Sequence, residues 1–325
     1  MKVLVTGADG MLGSHIVHEL SKRKHEISIF VLPNRKINFA DIPINRFEGN
    51  ILDLESLKSA LKGHDAIIHA AALTDIWPYR SKIVRDVNLQ GTKNVAEASK
   101  SLGLKRVLII GSASSFGFGS KDKPGDETTP SVSDKYGLDY IDSKKQAQEY
   151  ILREVKENNL PAIMLNPTFM FGAYDSKPGA GRIIKSIQKE QVFALPPGGK
   201  NYIAAKDVAT ATVNALTMGR IGECYILGNE NLDFKEAFGK IAQVVNAKAP
   251  TRMLPKWLCL LIGSIVDVYS NITKSVPVLS YNNMKIGCEE HYFSSLKAQN
   301  ELGLPLAKIE VAIKECSDWM EENNI

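Results

Sequence analysis

The chain has 325 residues, 44% of them hydrophobic and 23% charged, which is the composition of a globular protein with ample core. Its length allows one large domain or two ordinary ones. The 40 basic and 36 acidic residues leave a net charge of +4, which is too balanced to favour nucleic acid or an anionic membrane as a partner.

Four cysteines bear on the cellular compartment, namely Cys224, Cys259, Cys288 and Cys316. They are widely separated and form no Cys-x-x-Cys pair, so we expect reduced thiols in the cytoplasm and no metal site. The first predicted strand starts at Lys2, which leaves no room for a signal peptide.

The longest apolar run extends from Trp257 to Val266 and stops at Asp267. It has about half the length of a membrane span, so we expect no integral membrane segment. A buried or substrate-lining helix is favoured here over an anchor, and peripheral membrane contact stays open.

The N-terminus predicts a dinucleotide site. The apolar run Lys2 to Thr6 is typical of a buried parallel strand, and a helical pattern to about Lys24 follows the turn. The turn between them supplies six candidate cofactor residues: Gly7, Asp9, Gly10, Met11, Leu12 and Gly13. The first glycine permits the tight turn, the second lets a pyrophosphate approach the backbone, and the third lets helix and strand pack closely.

The end of the second predicted strand, Glu26 to Leu32, bears on the choice of cofactor. NAD sites place an acidic residue there for the ribose 2′-hydroxyl, whereas NADP sites place a basic residue for the 2′-phosphate. No acid follows Leu32, and Arg35 and Lys36 stand a few residues later. We therefore favour NADP over NAD, with Arg35 or Lys36 on the 2′-phosphate and Arg35 as the candidate cofactor residue.

The next two strands complete the predicted cofactor crevice. After the strand Asn45 to Phe47, Asn50 and Ile51 are expected to flank the adenine, and Asp53 to cap the following helix. The segment His64 to Ala72 predicts another strand, followed by space for a ribose or nicotinamide. That space is left by three alanines, Ala70, Ala71 and Ala72.

Three histidines and one asparagine of this half need separate interpretations. His69 is expected to be a packed residue at a strand end. His15 and His18 lie three residues apart without a third metal ligand nearby, so we expect them on the surface. Asn88, within the predicted helix Lys82 to Leu102, either braces the active-site turn or belongs to a proton relay.

The chemistry is predicted for Ser112, Tyr140 and Lys144. Ser112 follows the strand Val107 to Ile110, and the other two lie four residues apart on one helix face. A nearby ammonium and a cationic nicotinamide would lower the tyrosine pKa from about 10 toward 7, worth about 4 kcal/mol. Such a tyrosine is a general acid/base beside a redox cofactor, and Ser112 can donate to a carbonyl oxygen.

A further strand, Pro161 to Asn166, continues into Pro167 and Thr168, which adds three cofactor candidates at its end. Alternating strands and helices predict an α/β fold, a Rossmann doubly wound parallel sheet with a smaller C-terminal substrate domain. We expect residues 1–170, rejoined by 201–228, to bind the dinucleotide. Residues 171–200 and 229–325 would bind substrate.

The second half has a different character. Two Gly/Pro-rich stretches, 171–181 and 195–200, are expected to be a lid, a substrate clamp or plain connecting loops. Asp207 is expected to be the N-cap of a helix that runs to about Met218. Three more helices are predicted, at Asp233 to Val245, Pro255 to Tyr269 and Lys308 to Glu322.

Taken together, six segments resemble the extended short-chain dehydrogenase/reductase family: TGADGMLG, DAIIHAAA, DVNLQGTKNV, SASSFG with YIDSK, NPTFMFG and YIAAKDVATATVNAL. The last segment and GRIGECYILGNENL resemble a subgroup of this family. It holds dihydroflavonol-4-reductase-like enzymes, 3β-hydroxysteroid dehydrogenases and bacterial NAD(P)-dependent sugar epimerases. The resemblance covers essentially the whole chain.

The resemblance implies roles by position. Tyr140 would be the acid/base, Lys144 would hold the nicotinamide ribose, Ser112 would orient the substrate oxygen, and Asn88 would be structural and part of a relay. It also implies a small-molecule substrate and a homodimer. Leu32 departs from the pattern, because NADP-using relatives often have arginine there.

Three functions are compatible with these residues. The first is an NAD(P)(H)-dependent oxidoreductase acting on a carbonyl or alcohol of a medium-sized substrate. The second is a nucleotide-sugar epimerase or dehydratase that retains its cofactor, with only scattered basic residues for a diphosphate: Lys177, Arg182, Lys185 and Arg252. The third, a redox-sensing or scaffold protein, has no need of an activated tyrosine.

Overall fold

A seven-stranded parallel sheet and a smaller four-stranded sheet organise the fold in a computed structural model that describes residues 1–176, 179–277 and 279–325. The strands are, in chain order, β1 (Lys2–Thr6), β2 (Glu26–Val31), β3 (Asn45–Glu48), β4 (Ala66–His69), β5 (Arg106–Ile110), β6 (Ala162–Pro167), β7 (Phe169–Phe171), β8 (Gly199–Ala204), β9 (Cys224–Leu227), β10 (Glu230–Asp233) and β11 (Glu290–His291).

The helices cover both faces of the large sheet and build the second lobe. They are α1 (Met11–Lys22), α2 (Leu54–Leu61), α3 (Lys82–Arg85), α4 (Gly91–Ser101), α5 (Asp139–Asn158), α6 (Ala180–Gln188), α7 (Ala205–Asn214), α8 (Phe234–Val244), α9 (Lys256–Thr273), α10 (Tyr281–Gly287), α11 (Leu296–Leu302) and α12 (Ile309–Glu322). A π-helical turn, Asp86–Gln90, joins α3 to α4. None of the described helices has the length and apolar content needed to cross a bilayer.

The large sheet is doubly wound, as predicted. Its strand order is β3-β2-β1-β4-β5-β6-β9, and every neighbouring pair is parallel. Alternate residues of β1 enter opposite core layers, because side chains alternate along a strand: Val3 and Val5 pack with Ile16 of α1, whereas Leu4 packs with Leu57 of α2. A strand apolar on both faces therefore belongs in the middle of this sheet.

The second lobe has its own apolar cluster and a mixed sheet in which β8 pairs with β7, β10 and β11. The two predicted Gly/Pro loops are shorter than expected, because Phe171 ends β7, Ala180 begins α6, and Gly199 begins β8. Residues 177 and 178 of the first stretch lie outside the described residues.

The prediction that Asp207 caps a helix is wrong. Helix α7 begins two residues earlier, at Ala205, because β8 runs directly into it. The Asp207 carboxylate is buried within the first turn, where it accepts a hydrogen bond from the Ala307 amide at 2.8 Å. It therefore fastens the C-terminal segment to α7.

Candidate active site

The carboxyl ends of six parallel strands meet at one edge of the large sheet, and the predicted site residues other than Asn88, Tyr140 and Lys144 lie at these ends. The glycine turn follows β1, Arg35 follows β2, and Asn50 and Ile51 follow β3. The three alanines follow β4, Ser112 follows β5, and Asn166 to Thr168 end β6 or follow it. The order of the strands places this crevice on both sides of β1 and β4, where an open α/β sheet binds its ligand.

The glycine turn has the conformation that its sequence predicts. Gly7 has a φ of +71°, and a Cβ there would lie 2.5 Å from the Ala71 amide nitrogen. A Cβ on Gly13 would lie 2.0 Å from the Gly7 carbonyl oxygen. Neither position accommodates a larger residue, since the turn, α1 and the end of β4 are in contact there.

The chain's own residues fit a dinucleotide at this turn. Gly10 is the N-cap of α1 but offers no side chain to the helix amides, and no acidic residue lies in the first turn. A Cβ on Gly10 would meet only the Gly7 oxygen at 3.4 Å, so the backbone there is open to a close approach. A helix N-terminus left free in this way favours a phosphate.

A second observation supports the fit on the far side of the crevice. Asn166 is fully buried, and its Oδ1 accepts a hydrogen bond from the Ser112 amide at 3.1 Å. Its Nδ2 has no partner among the described residues. Because a buried amide donor is costly to leave unpaired, this atom is suited to a bound molecule. Thr168, next along the chain after Pro167, is fixed by Asn201 and the Leu227 carbonyl.

Where β1 and β2 end, a basic residue lies beside the glycine turn. The Arg35 Nε lies 3.7 Å from an Asp9 carboxylate oxygen, so the guanidinium is held at the edge of the turn. Leu32, at the end of β2, is exposed. The two charged side chains are thus the polar groups beside the place where β1 and β2 end.

Asn50 and Ile51 differ in exposure. Asn50 is exposed, and its Oδ1 accepts a hydrogen bond from the Leu52 amide at 3.0 Å. Ile51 is buried against Gly91, and its carbonyl accepts from Asn94 at 2.9 Å. The turn after β3 is therefore fixed from both sides, and contact of either side chain with an adenine stays a prediction.

Ser112 and Tyr140 lie together at the start of α5. The Ser112 hydroxyl is 2.8 Å from the Ser114 hydroxyl and accepts a hydrogen bond from the Ser114 amide. Burial raises the pKa of Tyr140 above its ordinary value, and the hydrogen bond from Ser112 partly opposes this rise. The Tyr140 hydroxyl is thus protonated at neutral pH. The neighbouring Ser112 hydroxyl can hydrogen-bond to the same substrate oxygen.

Lys144 is buried behind the tyrosine, and its Nζ donates a hydrogen bond to the Ile110 carbonyl at 2.8 Å. Burial lowers the pKa of this ammonium to about 8. That Lys144 and a bound nicotinamide together lower the pKa of Tyr140 stays a prediction. In the chain by itself, desolvation of the phenol is the larger influence, and the ammonium donates to the backbone of β5.

Asn88 forms the brace that was one of its two predicted roles. Its Oδ1 accepts from the Leu73 amide at 2.9 Å, and its Nδ2 donates to the Leu73 carbonyl and to the Ser143 hydroxyl. Ser143 in turn donates to the Tyr140 carbonyl at 2.9 Å. Asn88 therefore ties the segment after β4 to the first turn of α5. It occupies the π-helical turn Asp86–Gln90, from which its side chain reaches both Leu73 and Ser143.

A buried polar network lies below the site, and the sequence patterns did not predict it. His69, buried as expected, lies 2.7 Å from the Thr6 hydroxyl and 3.3 Å from the Thr92 hydroxyl, and Thr92 donates to the Asn88 carbonyl. Burial lowers the pKa of His69 to about 3, and the Lys144 charge adds to this. Polar residues within otherwise apolar strand and helix faces were the available signal.

His15 is a second correction, because it is buried and not on the surface. Its ring packs edge-on against Tyr174 at 5.0 Å, and the His18 ring stacks on the same tyrosine at 5.3 Å. Burial lowers the pKa of His15 to about 4. Within the described ranges, no further ligand joins these two histidines in a metal site.

The buried Lys144 ammonium gives a testable pH dependence of stability. Its pKa is about 8 in the folded chain against 10.5 for free lysine, so between these values the unfolded chain holds a proton that the folded chain has released. Stability contributed by this group therefore rises with pH in that window. From about pH 7 to pH 10, we expect the free energy of unfolding to increase by about 2–3 kcal/mol relative to a Lys144→Met variant. Denaturant titrations at several pH values measure it, and a constant difference would contradict the burial of this charge.

Comparison with known proteins agrees with this geometry. Residues 3–228 match the model of the NAD dependent epimerase/dehydratase family. A Synechocystis sp. protein named "Putative dihydroflavonol 4-reductase" is 26% identical, over 98% of this chain and 94% of that protein. The 3-beta-hydroxysteroid dehydrogenase of Mycolicibacterium neoaurum is 29% identical, over 97% of this chain and 90% of that protein. The crystal structure of gox2253 has a TM-score of 0.87 and 30% identity, and covers 99% of this chain and 98% of its own. The chain belongs to the NAD dependent epimerase/dehydratase family and is an NAD(P)-dependent enzyme of the extended short-chain dehydrogenase/reductase type.

Proposed function

We propose that this enzyme is a net oxidoreductase, which transfers a hydride between the nicotinamide and a carbonyl or alcohol carbon of a medium-sized substrate. The observation that carries the proposal is the meeting of Ser112, Tyr140 and Lys144 where β5 ends and α5 begins, beside the dinucleotide crevice. The substrates named for the two curated relatives are both compatible with this chemistry.

The roles of the residues follow from their contacts. The Tyr140 hydroxyl gives its proton to the substrate oxygen during reduction and takes it back during oxidation. The Ser112 hydroxyl donates to the same oxygen as charge develops on it. Asn88 acts through Ser143 on the position of Tyr140, and Lys144 holds the end of β5 against α5.

The cofactor is held by residues from five strand ends and from α5. In this proposal they are Gly7, Asp9, Gly10, Met11, Leu12, Gly13, Arg35, Asn50, Ile51, Ala70, Ala71, Ala72, Tyr140, Lys144, Asn166, Pro167 and Thr168. When bound, the nicotinamide dinucleotide supplies or accepts the hydride, and its oxidised ring carries a positive charge that favours an ionised phenol.

We propose NADP as the preferred cofactor because Arg35 is the basic group beside the glycine turn. An Arg35→Ala variant should bind NADPH about tenfold more weakly, since a charge-assisted bond to a phosphate is worth about 1.4 kcal/mol or more, and bind NADH unchanged. Fluorescence titration with both dinucleotides measures this, with Lys36→Ala as the matched control. An equal loss for both would place Arg35 away from the 2′-phosphate.

An epimerase that retains its cofactor is the second candidate, and the name of the matching family model favours it. Of the basic residues considered for a sugar diphosphate, Arg182 and Lys185 lie on α6 and Arg252 lies before α9, while Lys177 is outside the described residues. The two functions separate in one experiment, in which NADPH is supplied with a panel of carbonyl compounds. Net oxidation matched by alcohol formation supports the oxidoreductase. Nucleotide that copurifies and is never released supports the epimerase.

Three further features belong to the proposal. Residues 1–170 with 201–228 form the dinucleotide-binding part, and 171–200 with 229–325 form the substrate-binding part.

The enzyme forms a homodimer whose interface consists of the helices near Asn88 and Tyr140. A sedimentation mass equal to one chain would refute this. It acts in the cytoplasm, which agrees with its four free cysteines.

A further inference from the structure

Helix α9 presents a continuous apolar surface to solvent. Trp257, Leu261, Ile265, Val268 and Ile272 follow one another at intervals of three or four residues, and each is 49 to 75% exposed. Together with Tyr269, which is 64% exposed, they are called the α9 face here. The spacing puts them on one side of a helix about 27 Å long. Val276 and Leu279 extend the apolar surface beyond its end.

The opposite side of α9 is fastened to the protein. Gly263 allows such close packing that a Cβ there would lie 2.7 Å from the Tyr281 Cα. Asp267 accepts hydrogen bonds from the Tyr79 hydroxyl at 2.5 Å and from the Tyr281 amide. Because Asp267 is the one acidic residue of α9 and is used here, the α9 face itself carries no negative charge.

The ends of this surface are basic. Lys256 is the first residue of α9, Lys274 follows its last residue, and Arg252 precedes it; all three are exposed. No salt bridge involves any of them within the described part of the chain. The surface thus combines an apolar middle with uncompensated positive charge at both ends, although the chain as a whole is nearly balanced in charge.

A contiguous exposed patch of this kind marks an interaction site, since single exposed apolar residues are ordinary but large patches are not. Tryptophan and tyrosine beside aliphatic residues, with lysines at the margins, match the boundary between headgroups and acyl chains. No described helix can span a bilayer, so the contact is one that lies along its surface. We infer that the α9 face docks on the surface of an anionic phospholipid bilayer, with the helix parallel to the membrane plane.

The fastened side of α9 faces the cluster of residues around Tyr140. Tyr79, which Asp267 holds, packs with Tyr136, Leu138 and Ile141, and Tyr140 packs against the same cluster. The docking itself does not depend on the proposed oxidoreductase activity, because it rests on α9 alone.

Flotation of the full-length chain with vesicles tests the inference. We expect the chain to float with vesicles of phosphatidylcholine and phosphatidylglycerol and to float less with phosphatidylcholine alone. An Ile265→Glu/Ile272→Glu variant should lose at least about tenfold of this partitioning, since each buried side chain contributes more than about 1 kcal/mol. Lys256→Gln and Lys274→Gln should each reduce partitioning to the anionic vesicles about fivefold and leave the neutral ones unchanged.

Controls separate docking from misfolding and from self-association. Ile221, on a different surface, is 50% exposed, so Ile221→Glu should float as the native chain does. All variants should keep the native unfolding temperature because the changed side chains are exposed. A native chain that stays out of the floating fraction overturns the inference. So does a dimer that Ile265→Glu/Ile272→Glu converts to monomers, since a second copy would then cover the α9 face.

Discussion

Replacing Tyr140 by phenylalanine is expected to lower kcat by about 10³-fold or more while dinucleotide affinity changes little. The substitution removes only the hydroxyl that exchanges a proton with the substrate oxygen, and general acid–base catalysis contributes about 10²–10⁴-fold. Because this phenol is protonated at neutral pH in the chain alone, its loss affects carbonyl reduction directly. Steady-state kinetics and a fluorescence titration on the same sample give both quantities.

Tyr150 provides the matched control for this prediction. It lies on the same helix, ten residues after Tyr140, and the cations of Lys93 and Arg153 lie 5.4 and 5.5 Å from the centre of its ring. Tyr150→Phe should leave kcat within about twofold of the native value, because surface hydroxyls of this kind are nearly neutral. Activity that survives Tyr140→Phe would show that another group is the acid/base. It would also favour a binding protein that has no catalytic need of this tyrosine.

The second large effect is expected at Gly13. Gly13→Ala should destabilise the fold by about 3 kcal/mol or more and abolish dinucleotide binding, because the new Cβ would lie 2.0 Å from the Gly7 oxygen. Relief of that overlap requires α1 to move away from the turn that is proposed to hold the pyrophosphate. Chemical denaturation and titration with NADPH measure the two losses.

Two other glycine substitutions serve as comparison variants for this prediction. Gly10→Ala should keep the native stability, because its Cβ meets only one atom at 3.4 Å, yet weaken dinucleotide binding at least about tenfold by filling the space above the backbone. Gly239→Ala on α8, where a Cβ meets nothing within 4 Å, should stabilise the chain by about 0.5–1 kcal/mol. If Gly13→Ala behaved like Gly239→Ala, the packing assigned to the glycine turn would be wrong.

The Rossmann sheet could be predicted from the sequence because the two patterns that indicate it are local. Each buried strand is a short apolar run, and each is followed by the residues that face the crevice. Parallel pairing then brings Gly10, Arg35, Ser112 and Asn166 to one edge without further information. Which of these residues contact a cofactor stays a prediction.

The errors concern contacts between residues far apart in the chain. His15 has the spacing of an exposed helix residue, but Tyr174, about 160 positions later, covers it. Asp207 has the sequence context of a helix cap, but the strand before it continues directly into the helix, and the carboxylate binds Ala307 instead. Local sequence propensity contains no information about either distant partner, Tyr174 or Ala307.

Two features of the site needed the structure for a different reason. The π-helical turn at Asn88 inserts one residue into a pattern that otherwise looks regular, so the direction of its side chain is not readable from periodicity. The direction in which the pKa of Tyr140 departs from its ordinary value depends on burial and on the neighbouring Ser112 hydroxyl, and neither can be obtained from the spacing of residues along the chain. The four-residue spacing of Tyr140 and Lys144 does place both of them on α5, and their joint action on a cofactor stays a prediction.

The most direct test of the account is a fluorescence titration of the purified native chain with NADPH and NADH, after a check for nucleotide carried through purification. We expect an empty site that binds NADPH at least about tenfold more tightly than NADH, a difference of about 1.4 kcal/mol. Binding of neither dinucleotide would contradict the dinucleotide site at the glycine turn, and with it the function proposed for Ser112, Tyr140 and Lys144.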